Sequence, residues 1–123
     1  MNKITKESVS ASLVLIGPKF LKPEWASKWA KDRPTTGYCY LVSEILYHYI
    51  YTEAKPKVMR VNGGTHWFLV DNGVVVDWTG NQFDCEVPYE EGRGCGFFVG
   101  SVKTNRGKIS KKSYELAKIL EIV

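Results

Sequence analysis

Between Thr36 and Tyr51 apolar side chains recur every three or four residues, at Tyr38, Leu41, Val42, Ile45, Leu46, Tyr49 and Ile50. That spacing predicts a helix buried over a wide face. Thr35 or Thr36 can cap it, and the run from Thr52 to Pro56 breaks it. Cys39 falls in its first turn. Further on the pattern changes to continuous apolar runs. KVMRV from Lys57, THWFLV from Thr65 and GVVVDWT from Gly73 read as strands, with Asn62-Gly63-Gly64 as a bend between the first two. The last two runs meet at Asp71-Asn72-Gly73, a strong hairpin signal.

The flanks are less regular. Residues 4 to 16 end in LVLI, as a strand or the last turns of a helix, and Gly17-Pro18 stops them. PEWASKWAKD from Pro23 has proline at a first helical position and Trp25 and Trp29 one turn apart, so it predicts a helix ended by Asp32-Arg33-Pro34. The two tryptophans suit core packing or a groove wall. From Gly80 to Gly100 the chain reads as loop with one short strand, GFFVG. The GRGCG run within it is a surface loop or lines a site; no lysine with serine or threonine follows, so it is no phosphate loop. Ser110 caps a final helix, SKKSYELAKILEI. The expected architecture is one α+β domain over residues 1–123, with a central helix from the N-terminal half on a small antiparallel sheet and a helix at the C-terminus.

A chain of 123 residues supports one modest core. Its net charge of +4 comes largely from lysines near the two ends. A dense basic stripe interleaved with exposed aromatics is missing, which argues against nucleic-acid binding. Three cysteines cannot all pair internally. With two histidines in the chain and no CxxC spacing, neither a metal site nor a cofactor is expected. The apolar run before Gly17 has four residues, too short for a signal-peptide core or a membrane span. Free thiols and no export signal point to the cytoplasm, with no membrane partner.

Chemistry enters with Cys39. A thiol becomes a good nucleophile on losing its proton, and a helix N-terminus favours negative charge through its unpaired amides. The same amides could receive a developing oxyanion. Cys39 also shares a face with Val42 and Leu46, so by itself it could be a small buried apolar residue. His48 lies nine residues on and points to the opposite side of the helix. His66 remains as a base, at the start of an apolar strand after Gly63-Gly64-Thr65. Asp77 is the one charge in VVVDW and must be paired or solvated. A two-residue turn at Asp71-Asn72 makes His66 and Asp77 direct cross-strand neighbours. A turn at Asn72-Gly73 makes them diagonal ones, still on one face. A three-residue loop would put them on opposite faces. In either favourable register Asp77 orients His66, His66 takes the proton of Cys39, and the sulfur attacks a carbonyl to form a thioester. Gln82, Asn81 and Tyr38 are candidates to bind the oxyanion, with Gln82 preferred, and Trp67 joins them as a substrate-binding candidate.

GYC at a helix start, THWFLV and then VVVDWT resemble the papain-like superfamily in its transglutaminase-like form, which includes transglutaminases and arylamine N-acetyltransferases. The resemblance implies Cys39 as nucleophile, His66 as base and Asp77 as orienting acid. Asp77-Trp78-Thr79 is similar to the D-P-T of such domains. It covers about the middle third of the chain, from Gly37 to roughly Phe83. The chain is far shorter than a full member, so calcium or coenzyme A requirements do not carry over; in size it resembles small phage- and bacterial-type proteins. The expectation is a cysteine-dependent acyl-transfer enzyme that hydrolyses an amide, peptide or isopeptide bond in a protein, peptide or small acyl substrate. Two other classes stay open: a binding or inhibitory protein that keeps the fold without turnover, and an interaction module in which the three residues are structural.

Overall fold

The computed structural model describes residues 4–61, 64–83, 85–95 and 109–122. The first segment resolves as helix α1, Lys6–Ile16. Thr5 and Ser8 close a reciprocal cap, each hydroxyl accepting the other's backbone N–H at 3.0 and 2.9 Å. Gly17 ends the helix at φ 68°, where its N–H bonds Leu13 O at 2.9 Å.

Helix α2 spans Pro23–Ala26, much shorter than the expected run to Asp32. Ser27 turns its hydroxyl back onto Glu24 O (3.1 Å), and the Trp29 indole donates to Pro34 O (2.8 Å). Those bonds favour a chain of tight turns over a continued helix, so Trp25 and Trp29 do not share a helical face. Helix α3, Cys39–Tyr49, starts later than periodicity suggests. Neither Thr35 nor Thr36 caps it: Tyr38 occupies the cap position without a side-chain bond. The Thr35 hydroxyl instead donates to Asn81 Oδ1 at 2.6 Å, a tertiary contact across 46 positions. Gly37, at φ 81°, makes the sharp entry. A Cβ there would also crowd Trp25 Cβ at 3.1 Å, so any other residue would be strained.

Three strands follow: β1 Lys55–Val61, β2 Gly64–Asp71 and β3 Val74–Val76. A two-residue strand, β4 Arg93–Gly94, pairs with β1 and completes an antiparallel sheet of order β3-β2-β1-β4. The described part of the glycine-rich run thus forms the sheet edge farthest from β3, and Cys95 N–H donates to Pro56 O (3.2 Å). Gly96, the predicted GFFVG strand, and Asn62 and Gly63 of the predicted bend lie outside the described residues. Helix α4, Lys111–Ile119, is capped by Ser110, as the pattern predicts.

Alternation along β2 separates two apolar layers. Trp67 and Leu69 face α1, α3 and α4, packing with Val9, Leu13, Val42, Ile45, Leu46 and Leu116. Phe68 faces the other way, with Met59, Val61 and Val87. Leu13, Leu69 and Leu116 are fully buried, each contributing about 1.5–3 kcal/mol relative to exposure. The result is a mixed α+β arrangement with α1, α3 and α4 on one face and residues 80–83 and 85–91 on the other. Among the described residues no helix is long and apolar enough to cross a membrane.

Candidate active site

The hairpin turn falls on Asn72-Gly73, with Asp71 paired to Val74 and Leu69 to Val76. Both turn residues have positive φ, 50° and 82°, as a primed two-residue turn requires. This is the diagonal register, which puts His66 and Asp77 on one face. Asp77 Oδ2 lies 2.7 Å from His66 Nε2. The imidazole is completely buried and the carboxylate 3 % exposed. Because β3 pairs only with Leu69–Asp71, the first half of β2 has no strand beside it on that side. The start of α3 and the turn after β3 come in there.

Cys39 is the first residue of α3 and is 7 % exposed. Its thiol contacts Thr65 O, one residue before His66, at a long 3.7 Å. The second ring nitrogen, His66 Nδ1, is buried and has no hydrogen-bond partner among the described residues. Burial by itself disfavours the charged ring. The hydrogen bond to Asp77, a weaker interaction with Cys39 and the negative charges of both outweigh it, so the His66 pKa is raised to about 9. The ring is therefore an imidazolium at neutral pH, and it interacts with Cys39 as well as with Asp77.

Asp77 is held on both oxygens. Oδ2 accepts from His66 and from the Tyr89 hydroxyl (2.6 Å), and Oδ1 from Thr79 N–H (3.1 Å) and the Thr79 hydroxyl (3.3 Å). Burial pushes the carboxyl up, but His66, Tyr89 and Thr79 together hold it below its ordinary range. Tyr89 is pushed well above the usual phenol range, first by burial and then by its bond to Asp77 and that carboxylate's charge. Aromatic rings close the pocket: Phe83 meets the imidazole edge-on at 4.9 Å and Phe68 lies nearly parallel at 6.2 Å. Gly80 passes so close that a Cβ would sit 2.7 Å from Asp77 Oδ2 and 2.8 Å from the Tyr89 oxygen.

The remaining sequence candidates take different places. Gln82 accepts from Gly37 N–H at 3.2 Å and donates to Thr79 O at 2.9 Å, so it bridges the approach to Cys39 and the turn after Asp77. Asn81 is exposed, its Oδ1 engaged by Thr35. Tyr38 is fully buried, with its hydroxyl committed to Gly17 O at 2.6 Å. Trp67 lies on the opposite face of β2 from His66, edge-on to Tyr40 at 5.0 Å. Neither Tyr38's hydroxyl nor Trp67's ring is brought to the His66–Asp77 pair. Tyr89 has no signal in the sequence: it stands alone in an irregular stretch with no periodicity to point it inward.

Among the described residues no group of three His, Cys, Asp or Glu could hold a metal ion. A groove of about 540 Å³ runs beside β3, bounded by Tyr51, Val75, Asp77 and Trp78, and Cys39 does not line it. What the arrangement can do chemically is proton transfer between a thiol and a buried, carboxylate-held imidazole. Comparison with family models, with curated proteins and with solved structures returns no match.

Proposed function

We propose that the chain is a cysteine-dependent acyl-transfer enzyme with a papain-like, transglutaminase-like core, hydrolysing an amide, peptide or isopeptide bond through a thioester on Cys39. One observation carries the reading. His66 binds Asp77 through Nε2 and leaves Nδ1 without a partner on the side of a cysteine that opens a helix. Buried side-chain nitrogens are mostly hydrogen-bonded, so an unpartnered Nδ1 on the Cys39 side calls for a role.

In the reaction Cys39 acts as a thiolate beside the protonated His66 ring, and Asp77 supports the charge on that ring. The sulfur attacks the carbonyl carbon, a C–S bond forms and the π pair moves to oxygen. The backbone N–H of Cys39, at the first helical position, is the natural donor to that oxyanion. Gln82 keeps one amide hydrogen beyond its bond to Thr79 O and is a second donor candidate. The intermediate collapses, the C–N bond breaks, and the amine leaves with the proton from Nδ1. Water then attacks the thioester, giving its proton to His66. The C–S bond breaks and the thiolate is restored beside the protonated ring.

The test is alkylation by iodoacetamide at mildly acidic pH, with modified sites located by mass spectrometry. Cys39 should react much faster than exposed Cys85, although it is buried. A Cys39 that is inert, or no faster than Cys85 and Cys95, removes the reading. The second reading is a binding or inhibitory protein of the same fold without turnover. The complete burial of His66 and near-burial of Cys39 favour it. Electrophilic acyl substrates separate the two, since only the enzyme accumulates a thioester on Cys39.

A further inference from the structure

We propose that Tyr89 is a positioning residue for this site. By donating to the same carboxylate oxygen that accepts from His66 Nε2, its hydroxyl fixes the Asp77 rotamer and draws off part of its negative charge, loosening its hold on the imidazolium. The two donors lie 2.6 and 2.7 Å from Oδ2, each short enough to compete for its electron density. Three features hold the phenol there. Its ring packs edge-on against Phe68 at 5.0 Å, a turn at Tyr89–Glu91 aims it inward, and Gly80 leaves no room for a side chain at the junction.

Among the described residues few other groups act on the ring. From α3 comes Cys39, and from the turn after β3 comes Asp77, with Tyr89 reaching the ring through it. Met59 on β1, Phe68 on β2 and Phe83 after the Gly80–Gln82 turn are uncharged neighbours. Tyr89 therefore sets the pH at which the Cys39–His66 pair gives up its second proton. The inference rests on the acyl-transfer reading for its catalytic meaning, but its physical content is a proton affinity measurable without any substrate.

The experiment follows the His66 ring by isotope-edited NMR across pH in the full chain. In Tyr89→Phe the carboxylate regains the withdrawn charge, and the His66 midpoint should rise by about one pH unit. The upper pH step in the Cys39 alkylation profile should rise with it. Placing 3-fluorotyrosine at position 89 keeps the shape and strengthens the donor, so the midpoint should fall; this variant decides the matter if Tyr89→Phe does not fold. A midpoint that stays put, or moves in the opposite sense, overturns the proposal. A wild-type Cys39 no more reactive than Cys85 would instead remove the enzyme reading and leave the His66 titration to judge Tyr89 separately.

Discussion

Glu44, in the middle of α3, accepts both the backbone N–H and the hydroxyl of Ser110, at 3.1 and 2.7 Å. Ser110 is the cap of α4, and the Ser113 hydroxyl adds a third bond to the same carboxylate at 2.6 Å. A fully buried acid thus sits against the positive end of a helix 66 positions along the chain. Glu44→Ala should destabilise the fold by about 3 kcal/mol, since it strands three buried donors. Glu44→Gln, keeping one acceptor oxygen, should cost less. Urea unfolding of both variants checks the order.

Asp77→Asn keeps the size of the side chain and removes its charge. An amide nitrogen cannot accept from both His66 and Tyr89, so the ring loses its preferred tautomer. Under the proposed chemistry the rate of acyl transfer should fall by about 10²- to 10⁴-fold. Alkylation of Cys39 at mildly acidic pH should slow as well. Unchanged alkylation would mean that Asp77 does not govern the protonation of His66.

Stability should depend on pH through the same ring. Folded, His66 keeps its proton to about pH 9; unfolded, only to its ordinary value of 6.5. Its contribution is therefore complete below pH 6.5 and disappears as pH rises through 9. The loss is on the order of 3 kcal/mol. Asp77 acts in the opposite sense, because its carboxyl is held below 3.8 and its contribution fades only as pH falls beneath that range. Chemical denaturation from neutral to alkaline pH should show the decline in the wild type. His66→Gln should flatten it.

Gly80→Ala tests the close approach. The added methyl would press on both Asp77 Oδ2 and the Tyr89 oxygen, at 2.7 and 2.8 Å. One of the two must shift, at a cost of about 1–3 kcal/mol. Cys39 alkylation should lose its acid-side advantage even where a thermal melt still shows a folded chain. Retained reactivity would mean that the Asp77–Tyr89 contact is dispensable.

Much of the scaffold was legible because it is written in local patterns. Asn72-Gly73 announces a primed turn, the turn sets the register, and the register brings Asp77 to His66. The three-four spacing of α3 likewise requires no knowledge of distant residues. What stayed hidden depends on partners far along the chain. Thr35 has a capping residue's chemistry, yet Asn81 claims its hydroxyl. Trp25 and Trp29 have helical spacing, yet Pro34 O draws the second indole into a turn. Tyr89 carries no local mark. Glu44 does carry one, as a single acid among apolar neighbours, the same cue that picked out Asp77; its answering serines lie in another helix.

Gln82 holds Gly37 with one end of its amide and Thr79 with the other. A single side chain thereby rivets the strand of backbone leading to the sulfur onto the strand of backbone leaving the acid. A displacement of the Gly37 backbone is thereby passed to the Thr79 turn, and one of the turn is passed back.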